Sequence, residues 1–190
     1  MNNKEIEIRV RINDNKPLLE FLEKNGNFKS EKHQKDEYFS PAHRNFIKEK
    51  PIKEWLRLRE EKDRYSMDYK NWHYNSDGKA YHCDEYEAKL ENLDSIKNIL
   101  KALNFESLIV VDKERKTFMF ENYEIALDQV EGLGHYVEVE YKGEEEVLDT
   151  KKIAEEMKDF IEKTGCQIIE QDFVGYPYLL LKKRYDISME

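Results

Sequence analysis

Charged and apolar residues alternate one by one in two stretches that lie near opposite ends of the chain. Residues 5–12 alternate Glu or Arg with Ile or Val, and residues 137–140 alternate Val with Glu. Successive side chains of an extended strand point to opposite faces of its sheet. Each stretch therefore predicts a strand with one apolar and one charged face. If the two strands are neighbours, the carboxylate pairs Glu5/Glu7 and Glu138/Glu140 would meet as one metal site.

The same period of two recurs along most of the chain and predicts a β-rich fold. It marks eight candidate strands, at residues 4–12, 32–39, 53–61, 64–73, 80–90, 109–120, 122–131 and 135–142. Residues 75–78, Asn-Ser-Asp-Gly, predict a tight turn between the fourth and fifth strands. Three segments instead space their apolar residues as a helix does, at 17–24, 94–103 and 150–163. Residues 41–51 are polar, with a proline at each end, and predict a loop.

Charge, rather than a mixture of neutral polar residues, fills the polar faces of these strands. The residues in phase on the third to seventh strands are Arg57 and Arg59, Lys70, Glu85 and Glu87, Lys113 and Arg115, and Asp128. Like charges two residues apart on a strand lie roughly 7 Å apart and repel by about 2 kcal/mol at an effective dielectric of 20. A solvated sheet surface would screen this repulsion, whereas a concave site needs counterions. Arginine forks match phosphate oxygens and carboxylate pairs match Mg²⁺ or Mn²⁺, so the recurrence favours a site for a metal–polyphosphate.

A closed barrel accommodates this pattern, because it would place the charged faces inside and the apolar faces outside, beneath the helices. The sequence therefore predicts an α+β fold with a closed eight-stranded antiparallel β-barrel, a charged interior and a cover of about three helices. Its length of 190 residues predicts one domain, 1–190, with a tail from about residue 182 that can be disordered.

Composition limits the partners that such a chain can have. A net charge of −9 argues against non-specific binding to nucleic acid or to a membrane surface. No apolar run approaches the ~18 residues that cross a bilayer. The two cysteines, Cys83 and Cys166, are far apart and form no CxxC pattern, which fits a reducing compartment. The first strand also begins too close to Met1 for a signal peptide, so we expect a cytoplasmic protein.

The ordered set of charged motifs resembles the CYTH superfamily, the triphosphate tunnel metalloenzymes. The family's N-terminal Glu-x-Glu-x-Lys corresponds to Glu5-Ile-Glu7-Ile-Arg9. The likeness continues in order to about residue 181, through Gln34-Lys-Asp36-Glu-Tyr38-Phe39, Leu56-Arg57-Leu-Arg59, Tyr69-Lys70, Lys113-Glu-Arg115, Asp128-Gln-Val-Glu-Gly132-Leu-Gly134 and Val137-Glu138-Val-Glu140. Within the superfamily, the chain most resembles the class IV adenylyl cyclase branch.

The resemblance implies a role for each matching position. Metal binding, by Mg²⁺ or Mn²⁺, is implied for Glu5, Glu7, Asp128, Glu138 and Glu140. Triphosphate binding is implied for Arg9, Arg57, Arg59, Lys70, Lys113 and Arg115, and the catalytic set is Glu5, Glu7, Arg9, Lys113 and Arg115. Arg9 departs from the family's lysine: it keeps the charge but cannot act as a base. For Glu85 and Glu87, balancing the arginines is as good an interpretation as a role in the site.

The resemblance also implies the reaction, with alternatives left open. The leading expectation is conversion of ATP to cyclic AMP and pyrophosphate. The alternative is hydrolysis of inorganic tripolyphosphate, thiamine triphosphate or a nucleoside triphosphate. A non-catalytic polyphosphate- or nucleotide-binding module is a third interpretation, and an ordinary sheet with a charged face is a fourth. Family members form dimers, so a homodimer is a further expectation.

Overall fold

Nine β-strands and four α-helices make up the part of the chain that the computed structural model describes, residues 6–62, 64–75, 80–143 and 149–185. The strands are β1 (Glu7–Ile12), β2 (Asn27–Pro41), β3 (Glu54–Glu61), β4 (Arg64–Tyr74), β5 (Ala80–Leu90), β6 (Phe105–Phe120), β7 (Tyr123–Val130), β8 (Gly134–Tyr141) and β9 (Ile168–Gln171). The helices are α1 (Lys16–Asn25), α2 (Leu93–Ala102), α3 (Thr150–Lys163) and α4 (Tyr176–Tyr185).

All eight predicted strands and all three predicted helices are present, but two elements were missed. Strand β9 and helix α4 both lie in the C-terminal segment, where the sequence shows neither a clear alternation nor a helical stripe. Strand β2 begins at Asn27, earlier than predicted; apart from Phe28 its first residues are polar, so no alternation marks them in the sequence. The predicted loop contains one 3₁₀ turn, Phe46–Lys48. Residues 76–79 of the predicted hairpin turn and the end of the tail, 186–190, lie outside the described residues.

The chain divides into two compact units, and the boundary falls within β2 and β6. The first unit comprises Met1–Lys32 and Lys113–Gly175, and the second comprises His33–Asp112 and Tyr176–Glu190. Hydrogen bonds order the strands β5-β4-β3-β2-β6 and β6-β7-β8-β1-β9, with β6 common to both runs. Among the described residues no ladder joins β5 to β9, so the closed barrel stays a prediction.

In the first unit, two helices cover the apolar face of the sheet. Strands β1, β7 and β8 turn their Ile, Val and Leu residues to this side, as the period-two pattern predicts. Helix α1 contributes Leu18 and Leu22, and α3 contributes Ile153, Met157 and Ile161. The charged residues of the same strands consequently share the other face. The Asp149 side chain caps the start of helix α3, because it accepts hydrogen bonds from the backbone amides of Lys151 and Lys152.

In the second unit, one helix covers the apolar face of β2, β3 and β4. Leu100 of α2 packs with Phe39, Leu56 and Leu58, and Phe46 of the 3₁₀ turn joins the same cluster. The Asn92 side chain caps α2 by accepting from the Ser95 amide at 2.8 Å. The opposite face of these strands carries the arginines of β3.

Candidate functional site

Strand register brings the predicted acidic and basic residues of the first unit onto one face. In the antiparallel pair β1–β8, Glu7 lies opposite Glu140 and Arg9 lies opposite Glu138. Residues opposite each other across an antiparallel ladder point to the same side and their Cβ atoms lie about 4.5–5.5 Å apart. The two carboxylate-bearing strands predicted from the sequence are therefore neighbours. Glu5 lies outside the described residues.

Glu7 and Glu138 form a carboxyl–carboxyl pair. Glu7 is accessible to solvent, yet burial by the surrounding atoms and the nearby Glu138 raise the pKa of Glu7 to about 7. Glu138 lies diagonally across the β1–β8 ladder from Glu7, because it stands opposite Arg9. Glu7 therefore holds its proton more tightly than an ordinary glutamate does, since burial and the charge of Glu138 both oppose its ionisation.

Asp128 anchors the two cations of β6. Arg115 donates from Nε to Asp128 Oδ1 and from a terminal nitrogen to Asp128 Oδ2, both at 2.6 Å. Lys113 Nζ lies 3.2 Å from the same Oδ2. The Asp128 side chain is fully buried, so its charge is balanced by these partners rather than by water. Asp128 thereby fixes the positions of both cations.

Arg115 also connects Asp128 with Glu138, one member of the Glu7–Glu138 pair. A terminal nitrogen of Arg115 lies 2.6 Å from Glu138 Oε2. Burial alone would raise the pKa of Glu138, but Arg115, Arg9 and Lys113 together lower it below its usual value. Two adjacent glutamates consequently titrate in opposite directions, with Glu138 ionised and Glu7 retaining its proton near neutrality.

Glu140 has its own cation. Lys142 Nζ lies 2.6 Å from Glu140 Oε1, in a contact that is partly open to solvent. Glu140 is also close enough to Glu7 to contribute to the raised pKa of Glu7.

Arg9 is held by a residue that the sequence did not single out. Its Nε donates to Asp172 Oδ2 at 2.6 Å, and the Asp172 side chain is only 1% exposed. Asp172 follows β9, about 160 residues away in sequence, so no local pattern connects the two. The signal in the sequence, one acidic residue in the C-terminal segment, is weak.

A second charged face lies on β2, β3 and β4 of the second unit. Arg59 donates two hydrogen bonds of 2.7 Å to the carboxylate of Asp36. Arg57 lies 3.6 Å from Asp36 and 3.3 Å from Asp68. Both aspartates are buried. Asp36 was recognised within a motif but not as a site residue, and it is the partner that joins the two arginines.

This second face contains buried polar atoms that the protein itself does not satisfy. Among the described residues, Arg57 Nε and Asp68 Oδ2 are buried and accept or donate no hydrogen bond. Burial raises the pKa of Asp68 against the opposing effect of Arg57. Lys70 pairs with Glu85 at 3.0 Å. Buried groups left unsatisfied are unfavourable unless a ligand or water completes them, and a polar ligand would do so.

The fit to a divalent cation rests on the carboxylate pair. Two carboxylates on one face of neighbouring strands supply oxygen ligands of the kind that suit Mg²⁺ and Mn²⁺. Within residues 6–62, 64–75, 80–143 and 149–185, no three His, Cys, Asp or Glu side chains are grouped so as to hold a metal. The pair therefore fits the cation as part of a larger set.

A cleft elsewhere on the second unit does not involve these residues. It measures about 610 Å³ and is lined by Ala42, His43, Lys101, Asn104, Phe105 and Glu106. None of the predicted site residues contributes to it.

Comparison with known proteins shows the family of the chain. The CYTH domain model matches residues 3–168. The chain belongs to the CYTH domain family. The resemblance inferred from the motifs is thereby confirmed, and the match covers both the β1 and the β8 carboxylates.

Individual relatives of this CYTH protein cover nearly its whole length. It is 31% identical over 179 residues to a Methanocaldococcus jannaschii protein named "Putative adenylate cyclase MJ0240", covering 94% of this chain and 98% of that protein. Its fold is similar to that of the PH1819 protein of Pyrococcus horikoshii, with a TM-score of 0.72, 25% identity and coverage of 95% and 100% of the two chains. It is also similar, at a TM-score of 0.63 and 16% identity over 98% of each chain, to the Hippeastrum protein HpAC1, which is described as having a dominant triphosphatase activity.

No helix within the described residues is both long and apolar enough to cross a bilayer.

Proposed function

We propose that this CYTH protein is a divalent-metal-dependent enzyme that processes a triphosphate, with the conversion of ATP to cyclic AMP and pyrophosphate as its leading reaction. The observation that carries the proposal is that Glu7 and Glu138 lie on one face of β1 and β8, where Asp128 fixes Arg115 and Lys113 and Arg115 also contacts Glu138. This face offers a cation site beside an anion site, which is what a metal–triphosphate requires.

The proposed metal ligands are Glu5, Glu7, Asp128, Glu138 and Glu140. Glu7, Glu138 and Glu140 would hold Mg²⁺ or Mn²⁺. Asp128 is part of this proposed set, and its buried carboxylate also holds the side chains of Lys113 and Arg115 in place. When bound, the divalent cation would supply positive charge to the phosphate oxygens.

The proposed triphosphate ligands are the cations of both charged faces. In the first unit these are Arg9, Lys113 and Arg115, and in the second unit Arg57, Arg59 and Lys70. An arginine already held on one side by a carboxylate keeps its remaining N–H groups in a fixed direction, so less entropy is lost when it binds phosphate. Arg57 Nε, which is buried without a partner, supports this role.

These cations determine how the chain would promote the reaction. In cyclisation, the ribose 3′-hydroxyl oxygen bonds to the α-phosphorus and its proton passes to water. The bond from that phosphorus to the bridging oxygen breaks, and pyrophosphate leaves with the bonding electrons. Fixed cations stabilise the charge that develops on the leaving group. Arg9 contributes charge only, because an arginine does not deprotonate near neutral pH.

Hydrolysis is the second candidate. The same faces would bind the phosphates, and a water molecule rather than a ribose hydroxyl would attack the terminal phosphorus. The similarity in fold to a protein with triphosphatase activity makes this reaction the necessary comparison. The substrates to compare are ATP, thiamine triphosphate and inorganic tripolyphosphate.

The test separates the two reactions by their products. Purified protein is incubated with Mn²⁺ or Mg²⁺ and each of the three substrates, and the products are resolved by ³¹P NMR. Cyclic AMP with pyrophosphate from ATP supports the leading reaction. Orthophosphate, released fastest from tripolyphosphate or thiamine triphosphate, supports hydrolysis instead.

A matched pair of variants ties the activity to the site. Glu138→Ala removes the ionised partner of Arg115 and should abolish turnover while some anion binding remains. Glu114→Gln changes an exposed residue on the opposite face of β6 and should leave turnover unchanged. Triphosphate binding without turnover of any substrate would contradict the proposed enzyme and favour a binding module.

A further inference from the structure

Asp172 connects the segment after β9 to β1 through both its backbone and its side chain. Its amide donates to the Arg9 carbonyl at 2.8 Å, and its Oδ2 accepts from Arg9 Nε at 2.6 Å. The Asp172 side chain is 1% exposed and that of Arg9 is 22% exposed. A buried carboxylate with a charged donor at this distance makes a strong, directional ion pair.

The two carboxylate oxygens of Asp172 have separate partners. Oδ1 accepts from the amides of Val174 and Gly175, at 2.8 and 3.0 Å, and so holds the turn that follows. Gly175 has a φ of 91°, which a glycine adopts without strain. Oδ2 is left for Arg9, so one oxygen shapes the backbone and the other holds the guanidinium.

The charge held by Asp172 acts on the candidate metal pair. Arg9 lies opposite Glu138 in the strand register, and Glu7 lies two residues before Arg9 on the same face of β1. Without an anionic anchor, a long arginine side chain in this position would neutralise these carboxylates and compete with a cation for them. The need for an anionic anchor therefore follows from the presence of arginine at position 9.

We propose that Asp172 is a positioning residue that balances and anchors the Arg9 guanidinium, and so keeps the Glu7–Glu138 pair available to a divalent cation. The inference rests on the proposed function, because it takes Glu7 and Glu138 as cation ligands. Asp172 lies outside the charged motifs that carry the family resemblance. The proposal explains why a buried carboxylate accompanies Arg9.

The decisive variant changes the charge while keeping the turn. In Asp172→Asn, Oδ1 still accepts from the two backbone amides, but the amide nitrogen that replaces Oδ2 cannot accept from Arg9. Mn²⁺ binding is measured without substrate by the loss of the free Mn²⁺ signal in electron paramagnetic resonance. We expect the Kd for Mn²⁺ to rise by at least about 10-fold, because an unbalanced positive charge now lies beside the carboxylates.

A second substitution separates positioning from a structural role. In Arg9→Gln/Asp172→Asn the pair is again neutral, as in the wild type, so the Kd for Mn²⁺ should return to within about 3-fold of the wild-type value if Asp172 acts through Arg9. The control is Glu170→Gln, which removes one charge from an exposed pair with Arg11 at 3.4 Å. This control should change the Kd by less than about 2-fold, because water screens the charge.

The outcomes distinguish the inference from the proposed function. If wild-type protein binds no Mn²⁺, the proposed metal site is wrong and the inference falls with it. If wild-type protein binds Mn²⁺ and Asp172→Asn binds it equally well, only the inference is wrong. If the double variant stays as weak as Asp172→Asn, Asp172 supports the backbone alone and the inference is again wrong.

Discussion

Two neighbouring glutamates on one face differ in the cations that contact them. Glu138 is 2.6 Å from Arg115 and its pKa is lowered by the surrounding cations despite its burial. Glu7 lies next to the charge of Glu138, and burial together with this charge raises its pKa to about 7. As the pH rises, Glu138 therefore loses its proton before Glu7 does.

The raised pKa of Glu7 gives a pH dependence of stability in the metal-free protein. A carboxyl whose pKa is raised in the folded state contributes stability that is present below its unfolded value of 4.5 and is lost as the pH rises through about 7. In EDTA, the wild-type Tm should therefore fall relative to that of Glu7→Gln between pH 5 and pH 8. The Tm is measured by differential scanning fluorimetry for both proteins. A constant difference across this range would show that Glu7 is not perturbed.

Asp128 provides the strongest test of the buried network. Removing one partner of a buried ion pair leaves uncompensated charge and destabilises by about 3–5 kcal/mol. Asp128→Asn should accordingly lower the free energy of unfolding by about 3 kcal/mol, because Lys113 and Arg115 both lose their anchor. Urea unfolding measures the change, with the exposed Glu114→Gln within about 0.5 kcal/mol of wild type. A loss below about 1 kcal/mol for Asp128→Asn would mean that the network is not tightly held.

Sequence reasoning identified residues that repeat along one strand and missed those that act across the chain. Arg57 and Arg59 were recognisable because two like charges stand in phase on β3. Asp172 was not, because its importance depends on a partner about 160 residues away and no local repeat marks it. The pairing of carboxylates across β1 and β8 was predicted from alternation, whereas their opposite pKa shifts depend on which cations are nearest.

At the scale of elements, the predicted strands and helices are those with a strong period. Helix α3 has a clear apolar stripe and was predicted with its observed limits, Thr150–Lys163. Strand β9 has only four residues, which is too short for alternation to be distinctive. Helix α4 carries Leu179, Leu180 and Leu181 in succession, and such a run does not separate a helix from a strand. Short or uniformly apolar elements therefore depend on tertiary contacts that the sequence does not display.

Helix α3 depends on its apolar stripe for stability. Met157 is fully buried in the core of the first unit, and truncation of such a residue to alanine costs about 2–5 kcal/mol. Met157→Ala should lower the free energy of unfolding by that amount in urea titrations. Glu155→Ala, on the exposed side of the same helix, should change it by less than about 0.5 kcal/mol. Equal effects of the two variants would contradict the packing of α3 on the sheet.

At the scale of the whole molecule, a chain with a net charge of −9 is proposed to bind a polyanion. Long-range repulsion opposes that binding, so the affinity has to come from local cations and from a metal ion that offsets the phosphate charge. The sequence displayed this conflict between overall and local charge before the fold was known. What it did not display is how each cation is fixed, because the anchoring carboxylates Asp36, Asp128 and Asp172 belong to other strands or segments.

The proposed site predicts that triphosphate binding and metal binding reinforce each other. Ligand at 100 times its Kd adds about 2.7 kcal/mol, which for a chain of this size raises the Tm by roughly 5–10 °C. Tripolyphosphate with Mn²⁺ should give a shift of this size, and tripolyphosphate in EDTA a clearly smaller one. Glu138→Ala should lose the Mn²⁺-dependent part, while Glu114→Gln should keep it. A shift that is the same with Mn²⁺ and with EDTA would mean that the cations bind the triphosphate alone, and the carboxylates of β1 and β8 would then need another explanation.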